Sequence, residues 1–233
     1  MRYGFIIAAG KQTRFGLDLP KALVDIDGVC LLDRNIKLLR TICDTVYVVC
    51  SSENIKYFDE TKYRLIEIES GYGSGDALYK AMNRFFFSKG DQVVVCWGDV
   101  ILNKNIVSKL DENTTSAIIP CTFEERPYVR FEFDKSKVSV YFSKYGDEIK
   151  PVYHDMSIFK FDAKNLKRAL FSFVECRANP DNTYNGNNNE FELLEIFNNG
   201  YPGELLVVDS ANATKSFNTV EELNRYKMEV ANE

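Results

Sequence analysis

Apolar and polar residues fall into alternating blocks along the first half of the chain. Residues 3–8 (YGFIIA) form a short apolar run that stops at Gly10, the pattern of a strand covered on both faces. LLDRNIKLLRTI carries its apolar residues at helical spacing, and DTVYVVCS follows as a second apolar strand. YRLIEIE predicts a third strand, SGYGSG a turn, and ALYKAMNRFF a helix in which Leu78, Ala81, Met82 and Phe85 fall on one face. QVVVCWGDV predicts a further strand, β-branched through its interior. Strands alternating with helices predict an α/β fold, a Rossmann-like three-layer sandwich with a mainly parallel mixed sheet.

The second half is patterned differently. PYVRFEFDKSKVSVYFS holds two alternating runs around DKSK and predicts a hairpin, and HDMSIFKF predicts one more strand. The Asn-rich NPDNTYNGNNNE predicts a loop, FELLEIFNNG a helix stopped by Gly200, and ELLVVDS the last strand. In FNTVEEL, Thr219 and Glu222 have the spacing of a capping box, which leaves Asn218 just outside the helix start. No repeat or composition shift marks a boundary, so residues 1–233 read as a single domain with a β-rich insertion.

Composition narrows the partners. The 233 residues are 45% hydrophobic and 27% charged with a net charge of −5, so neither nucleic acid nor an anionic membrane is an expected partner of the overall field. The six cysteines form no CxxC pair and the chain has one histidine, which argues against a Cys/His zinc site. The FIIAA run is too short for a signal peptide, and no apolar stretch is long enough to cross a bilayer. A reduced, cytoplasmic protein is the expectation.

Open α/β sheets bind ligands at strand ends, and four such ends carry suggestive groups. The segment Gly10–Lys21 joins a glycine turn to Arg14 and Lys21; by itself such a segment is more often a plain turn than a phosphate cradle, and it is neither a P-loop nor GxGxxG. GYGSGD at 71–76 opens a helix and reads either as a flexible loop or as a place where backbone approaches a ligand. Gly98-Asp99 ends a central strand; Asp99 suits a hard cation, or it caps the helix near Asn103. Asn218 is either a turn residue or a second oxygen ligand.

Taken together, these stations resemble the nucleotidyltransferases that make activated sugars and related nucleotide-linked metabolites. IIAAGKQTR…LPK matches the family's opening signature through Gly10, Arg14, Pro20 and Lys21; Gly98-Asp99 matches its Gly-Asp, and Asn218-Thr219 through Leu223 its closing element. The chain departs from the pattern at Gln12, where a second glycine is usual, and at Asn218, where many members have Asp. The resemblance implies a GT-A-like fold with an NTP-binding half (1–120), an acceptor-binding half (121–203) and a closing strand and helix (204–233). It implies Mg²⁺ as cofactor, and as substrates an NTP (CTP before UTP) and a phosphorylated small molecule.

By the same resemblance Arg14 and Lys21 are the catalytic cations, and Asp99 and Asn218 the metal ligands. Ala8, Ala9, Gly10, Gln12, Gly73, Ser74, Gly75, Asp76 and Gly98 frame the nucleotide. Arg126, Lys144 and Glu190 are acceptor candidates, each with the plainer alternative of a solvated charge. A nucleotide-binding regulator on the same fold is the rival reading. A dinucleotide oxidoreductase is disfavoured because VYVVCSS ends in serines where an acidic residue is needed.

Overall fold

The strand predicted first lies at the centre of the sheet. In the computed structural model, β1 (Arg2–Ile7) runs parallel to β4 (Thr45–Ser51) on one side and to β6 (Gln92–Trp97) on the other. The structure describes residues 1–10, 19–69, 71–113, 117–124, 129–134, 137–142, 152–179, 183–184, 189–209, 213–217 and 219–231. Between β1 and β4 lie the small hairpin β2 (Asp25–Ile26) and β3 (Val29–Cys30) and the helix α1 (Leu31–Leu39). β5 (Leu65–Ile68) extends the parallel set beyond β4. Helix α2 (Ser74–Met82) returns the chain to β6, and β7 (Val100–Ile101) and α3 (Lys104–Glu112) follow.

Beyond α3 the sheet becomes antiparallel. β8 (Ala117–Glu124), β9 (Val129–Asp134), β10 (Lys137–Phe142), β11 (Val152–Asp155) and β12 (Ile158–Asp162) come next. β12 pairs antiparallel with both β6 and β8, which joins the two halves into one ten-stranded sheet among the described residues. Helix α4 (Ala163–Arg177), the short α5 (Glu195–Asn198), β13 (Glu204–Val207), β14 (Lys215–Ser216) and α6 (Val220–Ala231) complete the chain. β13 lies parallel beside β8, and β14 pairs with β7.

The two faces of the sheet are separated by the period-two alternation of its strands. Phe5, Val49 and Val95 point into one core, shared with Leu78 of α2 and Leu166 of α4. Their neighbours Ile6, Val48 and Cys96 point into the other, shared with Leu32 of α1 and Ile106 of α3. That is the expected sandwich. Cys43, Cys50, Cys96 and Cys121 are buried free thiols; burial raises Cys43 to about 12 and Cys50 to about 11, so they behave as small hydrophobes. Lys160 of β12 is fully buried and donates to the carbonyls of Leu110 (2.5 Å) and Asn113, where α3 ends. Its charge faces the negative end of that helix, while burial lowers its pKa.

Several expected elements differ in extent. HDMSIFKF is not one strand: it breaks at Met156-Ser157, where Ser157 has φ +56°. Asp155 accepts from the Ser157 N–H at 2.8 Å and stabilises that turn. The helix expected through Phe86 ends at Met82, because Phe85 and Phe87 turn instead onto the ring of Tyr3. ELLVVDS is followed by one more short strand, β14. Gly200 does stop α5, with φ +85°, and the Thr219 hydroxyl accepts from the Glu222 N–H at 3.2 Å, the expected cap.

One interlock crosses the sheet's two halves. Gly73 precedes α2 with φ +95°, a conformation that suits glycine. The Phe191 N–H donates to the Tyr72 carbonyl (2.7 Å) and the Gly75 N–H to the Phe191 carbonyl (2.8 Å). A Cβ on Gly73 would lie 2.7 Å from the Phe191 carbonyl carbon, and one on Gly75 would lie 2.7 Å from its ring. Gly73→Ala should therefore cost about 2–3 kcal/mol in urea unfolding, with an unchanged m-value, since it adds backbone strain to overpacking. A cost near zero would mean that the interlock does not hold the loop.

Candidate active site

A cavity of about 470 Å³ opens at the carboxyl ends of the central parallel strands. β1 leads into Ala8, Ala9 and Gly10, β4 into Ser51 and Glu53, and β6 into Gly98 and Asp99. Gly71, Gly73 and Ser74 form one wall, and Glu190 and Glu192 come from the antiparallel half. Strands bring these residues together because a parallel sheet directs all its carboxyl ends to one edge.

The floor is built by close packing of small residues. Gly98 donates its N–H to the Ile7 carbonyl at 2.9 Å, and a Cβ there would lie 3.2 Å from those of Ala8 and Ala22. Behind Pro20 a single 3₁₀ turn, Lys21–Leu23, closes with the Leu23 N–H on the Pro20 carbonyl. This turn aims Lys21 inward. The Lys21 ammonium lies 3.5 Å from Asp99 and donates to the Phe217 carbonyl at 3.1 Å. Side-chain exposure is 14% for Lys21 and 40% for Asp99, so the carboxylate remains open to a ligand. Asp99 does not cap α3, because Asn103 does so with its own side chain, accepting from the Asn105 N–H.

The opposite wall is acidic. Glu192 accepts from the Ser74 hydroxyl at 2.6 Å, and the same hydroxyl accepts from the Leu193 N–H at 2.9 Å. Burial raises the pKa of Glu192, the Ser74 hydrogen bond partly offsets this, and the neighbouring Glu190 raises it further. Trp97 lines the cavity and packs its ring on Phe159 at 5.3 Å.

Of the expected site residues, Ala8, Ala9, Gly10, Lys21, Gly73, Ser74, Gly98, Asp99 and Glu190 all line this cavity. Gly75 and Asp76 do not. Gly75 is occupied by Phe191, and the buried Asp76 accepts from Tyr184 (2.7 Å) and the Tyr72 N–H (3.0 Å) and pairs with Lys80 at 2.8 Å. Asp76 thus shapes the glycine loop from behind. Gln12, Arg14, Arg126, Lys144 and Asn218 lie outside the described residues. Glu192, Glu53 and Ser51 were not expected. Ser51 ends a parallel strand and Glu53 follows it in VYVVCSSE, a position the strand-end rule covers; nothing local distinguishes Glu192.

Residues 4–170 match the MobA-like NTP transferase domain. The chain belongs to that family. A curated relative of this NTP transferase domain is the bifunctional protein GlmU of Buchnera aphidicola, 24% identical over 193 residues. The match takes in 77% of the chain but 42% of that relative, so the chain spans less than half its length. A putative glucose-1-phosphate thymidylyltransferase from Bacillus anthracis has the same fold, with a TM-score of 0.72 at 15% identity. It is covered over 94% of its chain and 98% of this one. The CTP:phosphocholine cytidylyltransferase of Streptococcus pneumoniae gives a TM-score of 0.71 at 14% identity, covering 98% of this chain and 99% of that one. The GT-A-like, Rossmann-like α/β fold is therefore shared well beyond recognisable sequence identity.

The shifted Glu192 has a measurable consequence. A carboxyl whose folded pKa lies above its ordinary 4.5 holds more protons folded than unfolded, so stability falls as pH rises from that value through the raised one. Glu192→Gln keeps a partner for Ser74 and removes the charge. The stability of the wild type minus that of Glu192→Gln should decline from acid to neutral pH in urea titrations. A flat difference would mean that the carboxyl is not displaced.

Proposed function

We propose that the chain is a Mg²⁺-dependent nucleotidyltransferase. It transfers a nucleoside monophosphate from an NTP, CTP before UTP, to a phosphorylated small molecule and releases pyrophosphate. The observation that carries this reading is Lys21 beside Asp99 at the carboxyl edge of β1 and β6, in a cavity walled by a glycine loop. Family membership supports the reaction class. Two neighbours in fold, one named for CTP:phosphocholine and one for inositol-1-phosphate and CTP, support the choice of CTP.

An oxygen of the acceptor phosphate attacks the α-phosphorus of the NTP. The new P–O bond forms as the bond to the bridging oxygen breaks, and pyrophosphate leaves with that electron pair. No general base is required, since the attacking phosphate is already anionic. Lys21 neutralises the α-phosphate as charge shifts, and Arg14 the departing pyrophosphate. Ala8–Gly10, Gln12, Gly73–Asp76 and Gly98 frame the nucleotide, through contact or by shaping the loop.

Asp99 is the oxygen donor at the cavity floor that fits a magnesium ion, with Asn218 as its partner. Among the described residues no group of three His, Cys, Asp or Glu gathers to hold a metal. That donor set suits an ion carried mainly by phosphate oxygens and water. When bound, it supplies neutralisation of the triphosphate charge.

The acceptor enters from the side of Glu190 and Glu192, with Arg126 and Lys144 on its phosphate. These glutamates favour an acceptor bearing an amine, such as an amino-alcohol or amino-acid phosphate, over a sugar 1-phosphate. In this reading residues 1–120 serve the nucleotide, 121–203 the acceptor, and 204–233 close the site.

Thermal unfolding with CTP, UTP, GTP, ATP and dTTP, each with and without Mg²⁺, tests the donor. A ligand at a hundred times its Kd stabilises by about 2.7 kcal/mol, and we expect a Mg²⁺-dependent shift from CTP. Lys21→Ala should then lower kcat by about a hundredfold while CTP affinity changes far less. Binding without turnover on any phosphorylated amine or sugar would favour the regulator, and silence from every NTP would sink the transferase.

A further inference from the structure

At the amino ends of the central strands, away from the cavity, a patch combines bare aromatic rings with cations. After α2 the chain runs extended through Phe85-Phe86-Phe87. Phe85 and Phe87 pack inward on Tyr3, at 6.0 and 5.3 Å, and Phe86 between them is 100% exposed. Across a groove of about 360 Å³, α4 presents Lys164, Lys167, Arg168 and Phe171 on one face, with Phe171 51% exposed. Lys167 donates to the Phe85 carbonyl at 2.8 Å and lies 5.9 Å from the centre of the Phe86 ring, which ties the loop to the helix.

The described residues lining this groove include three cations and no carboxylate. Of the nearby carboxylates, Asp91 and Asp162 have other partners, and the exposed Glu175 stands one turn beyond Phe171 on α4. Asp91 accepts from the amino-terminal ammonium (2.7 Å) and the Ser88 N–H, and Asp162 caps α4 at the Asn165 N–H. This local field is opposite in sign to the net charge of −5, so the whole-chain balance does not describe it. Two copies meeting through this patch would set like charges against each other. A fully bare ring beside a helix face bearing three basic side chains matches the surface of an anionic bilayer, which takes an aromatic wedge and attracts cations within a Debye length. No helix among the described residues is long and apolar enough to cross a membrane.

We propose that the Phe86–Phe171 patch docks the protein peripherally on anionic lipid surfaces, with the cavity facing away from the bilayer. The test is sedimentation of the full chain with vesicles of phosphatidylcholine alone or with about a third phosphatidylglycerol. The protein should pellet with the anionic vesicles only, and about 0.5 M salt should release it. Phe86→Ser/Phe171→Ser and Lys164→Glu/Arg168→Glu should each lower the bound fraction roughly tenfold or more. Both pairs should keep the thermal midpoint and the nucleotide-induced shift of the wild type, which separates lost docking from lost folding. Equal pelleting with neutral vesicles, or binding that survives both pairs, overturns the proposal. So does a dimer on gel filtration that Phe86→Ser dissociates, or retention on polyglutamate without vesicle binding; these assign the patch to a second copy or to an acidic protein.

Discussion

Two backbone hydrogen bonds at Phe191 join what the chain makes far apart. The segment that delivers Glu190 and Glu192 is held against the loop Gly71–Gly75 by the Tyr72 and Gly75 contacts, and its ring stacks on Phe173 at 3.8 Å. Asp76 and Tyr184 brace the same junction from below. Loosening either side would move a glycine wall and an acidic wall at once. The cavity is one object because its two faces share this seam.

Charge within the cavity is arranged by position. Lys21 is the cation among its described lining residues and stands on the β1–β6 side, whereas Glu190 and Glu192 come from the antiparallel half. A ligand with phosphate at one end and a positive group at the other would meet complementary ends. Asp99 lies 3.5 Å from Lys21, so each limits the other's freedom before any substrate arrives.

Much of this was legible in the sequence, and the limits have physical causes. The parallel core was readable because β1, β4 and β6 are apolar on both faces, a pattern only a doubly covered strand needs. Gly98 and Asp99 were readable because strand ends in such sheets converge, and Lys21 because Pro20-Lys21 resembles the family's opening signature. The break at Ser157 was not, since a single residue at positive φ leaves no trace in an apolar run. The burial of Asp76 was not readable either, because Tyr184, which donates to it, comes 108 residues later. Glu192 became visible only through its contact with Ser74, 118 positions away. Long-range pairing is the information that local pattern lacks.

The distance between Ser74 and Glu192 also has a meaning in time. During synthesis the glycine loop leaves the ribosome before the segment that will cover it exists. At about 5–20 residues per second, that interval is on the order of 10 s. Through it the Gly73 turn has no Phe191 backbone to bond, and the aromatic cluster of Phe173 and Tyr184 is still incomplete. The half of the protein bearing Lys21 and Asp99 can thus assemble its parallel strands while its ligand cavity stays open on one side. Completion of the site is a late event in the birth of each molecule, set by the order of translation as much as by affinity between the parts.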